Sequence, residues 1–216
     1  MNKRVEFILL MAIAVAISYV PFLSWPFMWI QTFFHEISHG LAALITGGSI
    51  IRIELNFNGS GVCYTGGGIR FIVAIAGYLG AAISGMLFYL SVTGLGRGNV
   101  RIFSALFGGL ALITLVLWGR DMWTLLILLV IAAISFVPLI KNWHPKITHP
   151  FMQIIGCYIL LDALKTPLYL IDSRNIGDGA ALSKMTLIPE IVWVAFWEVA
   201  ALFCLFMIFK HVGGKK

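Results

Sequence analysis

From Phe7 to Phe34 the chain carries no Asp, Glu, Lys or Arg. A helix needs about 20 apolar residues to cross the hydrocarbon core of a bilayer. This run is therefore long enough to hold more than one helix, and Pro21 and Pro26 divide it. Similar runs recur toward the C-terminal end. Of the 216 residues, 60% are hydrophobic and only 11% are charged, against about 25% charged in an average soluble domain. A soluble globule of this size has nowhere to hide that much apolar surface. These figures exclude a soluble enzyme, a disordered chain and a disulfide-stapled secreted module. They predict an all-α polytopic membrane protein, a single integral-membrane domain over 1–216 that has the lipid bilayer as its surroundings.

The charges support that class. Fifteen Lys+Arg stand against nine Asp+Glu, but the bases are scattered singly. They read as anchors near the membrane surface, with no nucleic-acid patch among them. With seven spans, eight cations fall on one side and seven on the other, which sets no orientation by the positive-inside rule. Cys63, Cys157 and Cys204 have no paired spacing, and they read as inert packing residues. The opening M-N-K-R followed by a long apolar stretch reads as a retained anchor.

Six to seven transmembrane helices are predicted. The spans fall at about 5–22, 26–46, 70–93, 101–118, 122–140, 150–170 and 187–209. The second has a proline near its start and stops at Gly47-Gly48, the usual helix asymmetry. After it comes a short β-hairpin-like segment at 49–68. Ile51, Ile53, Leu55 and Phe57 alternate there with Arg52, Glu54 and Asn56, and Asn58-Gly59 is a turn signal. The segment is too polar to span, which places it at the membrane surface or folded back over a cavity. A polar stretch at 172–186 separates the last two spans.

The residues that carry chemistry are F-F-H-E-I-S-H-G at 33–40. On a helix, His35 and His39 share one face about one turn apart. Two imidazoles so placed can grip one Zn²⁺. Glu36 lies beside the first histidine, within reach of a water that such a cation would acidify. This is the H-E-x-x-H arrangement of zinc hydrolases. With five His and five Glu in the chain, composition alone produces the pattern about 0.3% of the time. Three ionisable groups within five residues of a spanning helix are also costly unless something stabilises them. A catalytic zinc takes three protein ligands and keeps one position open. Asp178, Asp162 and Glu198 are the candidates for the third. Asp178 can alternatively cap a helix that starts at Gly-Ala-Ala-Leu. Asp162 lies three residues before Lys165, and an internal ion pair accounts for it. Glu198 is an alternative ligand, an acceptor for a ligating histidine, or a contact within the bundle.

The H-E-I-S-H motif in an early transmembrane helix resembles the site-2 protease family, the intramembrane zinc metalloproteases. So do the Gly-Gly stop, the strand-like segment and A-G-Y-L-G-A-A-I-S-G at 76–85. N-I-G-D-G at 175–179 resembles the family's aspartate motif, though it lacks the usual proline and adds a residue. The resemblance implies zinc held by His35, His39 and Asp178, with Glu36 as the catalytic base. It implies membrane-protein substrates cut in or near their transmembrane segments. A catalytically silent metal-binding scaffold or partner-binding protein of the same fold is the alternative, and an ion transporter is a third class. The compact layout suits a bacterial inner membrane. Substrate-binding residues and oligomeric state are not legible in the sequence.

The remaining features read more plainly. Gly77, Gly80, Ser84 and Gly85 offer a small-residue face for close helix packing, which can extend to the metal helix. Trp118, Trp123, Trp193 and Trp197 are interfacial anchors or bundle packing. His144, His149 and His211 are expected near helix ends, in water or headgroups. The hairpin is structural, or it offers an edge to an extended substrate segment.

Overall fold

A computed structural model describes residues 2–93, 97–140, 145–171 and 176–214. Among the described residues there are eight α-helices and one antiparallel hairpin. In chain order they are α1 (Lys3–Ser18), α2 (Trp25–Ile45), β1 (Ser49–Leu55), β2 (Gly61–Gly66), α3 (Arg70–Thr93), α4 (Arg97–Leu117), α5 (Met122–Phe136), α6 (Pro145–Lys165), α7 (Asp178–Thr186) and α8 (Glu190–Gly213). Five segments are long and apolar enough to cross a membrane: Arg70–Thr93, Val100–Leu117, Met122–Leu139, Lys146–Leu170 and Glu190–Gly213. The 16-residue α1 is too short to join them. In α2 the polar side chains Gln31, Thr32, His35, Glu36, Ser38 and His39 dilute the hydropathy.

The expected boundaries shift where local chemistry overrides the apolar pattern. The first helix stops at Ser18 instead of 22, and the chain turns through Pro21 and a left-handed Phe22 (φ 64°). The sixth begins at Pro145, ahead of the expected 150, and takes Pro150 into its second turn. The polar stretch at 172–186 holds a helix of its own, α7, entered through Gly177 at φ 94°. Residues 141–144, with His144, lie outside the described residues, as does Asn175 of the N-I-G-D-G motif.

The hairpin forms as expected, but its register contains a correction. Ile50 pairs with Thr65 and Arg52 with Tyr64, so Ile51 is the extra residue of a bulge. The bulge moves the apolar set by one position. Ile50, Ile53 and Leu55 point inward, and Ile51 is left 59% exposed. The Asn58-Gly59 turn is held by its own backbone: Asn56 N–H donates to the Ser60 carbonyl at 2.8 Å, and Gly59 takes φ 84°.

The two edges of the hairpin differ. The outer edge of β1 is covered by the α4–α5 link and the first turn of α5. Ile53 N–H donates to the Trp118 carbonyl at 3.0 Å, and Leu55 N–H donates to Thr124 Oγ1 at 2.7 Å. The other face of the hairpin rests on α2. Trp29 Nε1–H donates to the Phe57 carbonyl at 3.1 Å, and Thr32 Oγ1–H to the Gly59 carbonyl at 2.6 Å. Phe33, Phe34 and Ile37 of α2 form one apolar core with β1, α5 and α6, and a second core joins α1, α3, α6 and α8.

The small residues of α3 do not all face one neighbour. A Cβ on Gly80 would collide with the Ser38 side chain of α2, whereas one on Gly85 would lie 3.0 Å from the Gly156 carbonyl of α6. The glycines let two different helices approach α3 closely. Trp197 is bundle packing, 1% exposed, with Nε1–H donating to the Ile75 carbonyl at 3.1 Å. His211 also departs from the expected solvated site, because its Nε2 is enclosed. Cys157 and Cys204 are buried and unpaired, as packing residues are.

Candidate metal centre

An α-helix places residues four apart on one stripe and adjacent residues about 100° apart. On α2 this produces two functional rows. Met28, Thr32, Glu36 and Gly40 run beneath the hairpin, in reach of Gly59, Gly61, Ile50 and Cys63. His35 and His39 turn toward α3, where the absent side chain of Gly77 leaves room for both rings. A Cβ there would fall on the His39 ring and 2.6 Å from His35 Cε1.

The two imidazoles converge. Their Nε2 atoms are 3.0 Å apart, and Asp178 Oδ2 of α7 lies 3.2 Å from each. His39 Nδ1–H donates to the Val73 carbonyl of α3 at 2.7 Å. That bond fixes the tautomer, so a neutral His39 presents a lone pair at Nε2. His39 Nε2 and the Asp178 carboxylate are therefore acceptors, and His35 Nε2 meets them at the same place. Such an arrangement is held together by positive charge at its centre, either imidazolium protons or a metal ion. Burial pushes the Asp178 carboxyl up, but its hydrogen bonds with His35 and His39 pull it further down, leaving it below the ordinary carboxylate range.

The donor set fits zinc. Bond lengths of about 2.0–2.1 Å put tetrahedral ligand atoms about 3.3 Å apart, close to the separations seen here. Two nitrogens and one oxygen leave one position free. The cluster stands at the border of a cavity of about 910 Å³, lined by the three ligand-type residues and Glu36. His35, His39 and Asp178 are the one group of this kind among the described residues.

Asp178 does not cap α7. Gly177 occupies the cap position, Asp178 is the first helical residue, and its carboxylate turns to the histidines. Asp162 sits outside the cluster and is not paired with Lys165 as expected. Its Oδ2 accepts from Thr166 Oγ1 at 2.6 Å, and Lys165 Nζ lies 5.9 Å over the Tyr19 ring. Glu198 of α8 does not border the cavity, and its buried Oε1 has no partner among the described residues.

Glu36 is 6% exposed and sits against the start of β2. A Cβ at Gly61 would lie 2.8 Å from Glu36 Cγ, so the glycine lets the strand approach that closely. The backbone N–H of Cys63 faces the Glu36 carboxylate. Burial pushes the Cys63 thiol up to about 12, and its sulfur does not join the His35, His39 and Asp178 group. Sequence reasoning missed the Val73 carbonyl, Gly61, and the cavity-lining Tyr78 and Arg70. The A-G-Y-L-G stretch was the available signal for Tyr78, but it read as packing.

An apolar helical bundle with two histidines and one carboxylate clustered inside it is an integral membrane protein with a group of metal-ligand-type side chains at its core. The chain matches the Peptidase M50B-like family over residues 8–208, nearly its whole length, and belongs to that family. Membership bears out the resemblance read from H-E-I-S-H: the family is one of site-2 protease-like intramembrane peptidases. No curated protein and no solved structure matches the chain.

Proposed function

We propose that this protein is an intramembrane zinc endopeptidase that hydrolyses peptide bonds in or near the transmembrane segments of membrane-protein substrates. One observation carries the reading: His35 Nε2, His39 Nε2 and Asp178 Oδ2 converge within 3.0–3.2 Å of one another at the border of a cavity that Glu36 also lines. Family membership points the same way.

His35, His39 and Asp178 would hold the ion. When bound, zinc supplies the Lewis acidity that acidifies a water and polarises a carbonyl. Glu36 takes the proton of the attacking water and later hands it to the leaving amine. The Val73 carbonyl keeps His39 in the tautomer that leaves Nε2 free. β2 borders the cavity through Gly61, Val62, Cys63 and Thr65, and its edge away from β1 has no strand partner among the described residues. An unwound substrate segment can pair there, which holds the peptide extended for attack. Water reaches the buried site past the same polar hairpin.

The test compares purified variants on single-span membrane substrates. Glu36→Gln is expected to keep one zinc per chain and lose cleavage, whereas His39→Ala loses both. Full turnover by Glu36→Gln would overturn the catalytic assignment. Stoichiometric zinc in a wild-type protein that cuts no membrane substrate would overturn the peptidase reading.

A further inference from the structure

Tyr78 stands in the catalytic cavity and has no part in the steps above. It follows Gly77 on α3, so its position is set by the same close approach that seats the histidines. Its ring meets the His35 ring at 73° with centroids 4.4 Å apart, and the Trp197 ring lies at 4.8 Å. The residue is 7% exposed, yet it borders the cavity beside His35, Glu36, His39 and Asp178. The carboxyl groups that face it are Asp178 of α7, Asp162 of α6, Glu36 of α2 and Glu190 of α8. Among the described residues its hydroxyl is hydrogen-bonded to none of them.

Peptide hydrolysis needs something at this place. As water adds to the carbonyl carbon, negative charge grows on the carbonyl oxygen, and a fixed donor aimed at that oxygen is worth about 10²–10³ in kcat. Glu36 and Asp178 are carboxylates, which repel such charge. His39 already uses Nδ1–H on Val73, both Nε2 atoms are turned to the cluster, and His35 Nδ1 is enclosed away from the open cavity. Arg70 and Lys184 also border the cavity, but at its exposed rim. Tyr78 is the buried phenol in the cavity wall, in ring contact with His35, and a phenol is a protonated donor at neutral pH.

We propose that Tyr78 is a catalytic residue whose hydroxyl donates a hydrogen bond to the scissile carbonyl oxygen as the tetrahedral intermediate forms. No bond to the hydroxyl is made or broken. The proposal rests on the peptidase reading above and adds the group that stabilises the developing charge.

Tyr78→Phe keeps the ring and its contacts with His35 and Trp197, so a purely structural role would not register the change. The full chain in detergent is measured in three ways. Zinc content should stay at the wild-type value. The kcat on a membrane substrate should fall roughly 100- to 1,000-fold while KM changes little. Affinity for a phosphinic peptide, whose tetrahedral anionic centre imitates the intermediate, should fall by a similar factor. A Tyr78→Phe protein within threefold of wild type in both kcat and phosphinate affinity overturns the proposal. So does one that loses zinc or no longer extracts folded, because the hydroxyl would then serve assembly of the site. A wild type that neither cleaves nor binds the phosphinate overturns the peptidase reading itself. Wild-type cleavage matched by Tyr78→Phe removes Tyr78 alone.

Discussion

The two faces of α2 hold their functional groups by different means. His35 and His39 rest against another helix, where Gly77 leaves both rings room and the Val73 carbonyl fixes one of them. Glu36 rests against a strand, where Gly61 and the backbone of Cys63 fill the space. The helix face is built from close side-chain packing, which holds the two rings in place at the border of the cavity. The hairpin face borders the same cavity and is built from strand backbone, with a glycine where the strand comes closest to Glu36. Ligand geometry and base geometry are thus separable, although the two residues are adjacent in sequence.

Substitutions can break that separation, and the largest effect is expected at the helix face. Gly77→Leu puts a branched side chain where the imidazole rings lie. It should abolish both zinc binding and cleavage, read by elemental analysis and a cleavage assay. Retention of one zinc per chain would show that α3 does not position the rings. Next comes Asp178→Ala, which removes the donor that α7 brings. Zinc affinity, read by competition with a chelator, should fall by more than about 100-fold, since even supporting groups around a metal are worth about 10–100-fold. Unchanged affinity would take Asp178 out of the site.

At the hairpin face, Gly61→Val displaces Glu36 and should leave zinc content unchanged. Its turnover should fall about 100-fold, the usual effect of misplacing a reacting group by about 1 Å. Loss of zinc in this variant would mean the two faces are one unit. A smaller effect is expected from Thr32→Val, which removes the bond to the Gly59 carbonyl. Thermal unfolding in detergent should show a loss of about 1 kcal/mol. The smallest concerns Cys63. Burial holds its thiol up at about 12, against an ordinary value near 8.5. At pH 8 the reactive thiolate is then scarce. Alkylation should run about a thousandfold slower than for an exposed cysteine, and Cys63→Ser should keep full zinc content.

Much of this site was readable before any coordinates. The four-residue spacing of His35 and His39 puts both on one stripe whatever surrounds them. The hairpin announced itself through alternation and Asn58-Gly59, and the spans through their uncharged length. The bulge at Ile51 was not legible. Strict alternation assigns that residue inward, and only the pairing of Ile50 with Thr65 and Arg52 with Tyr64 pushes it out. The helix α7 was hidden as well. Its nine residues include an aspartate, a serine, a lysine and a threonine, and the glycines on either side of Asp178 read as loop. Asp162 seemed explained by Lys165, yet the closer Thr166 hydroxyl takes the carboxylate.

Periodicity, hydropathy and local spacing are properties of a single segment. The sequence by itself therefore determined the membrane class, the hairpin and the pairing of two imidazoles with a neighbouring carboxylate. The third donor, the tautomer of His39, the seat of Glu36 and the presence of Tyr78 beside them depend on how separate segments meet. Only the tertiary structure decided those, because contacts between α2, α3, β2 and α7 are set by the packing of whole surfaces and leave no mark on any one stretch of chain.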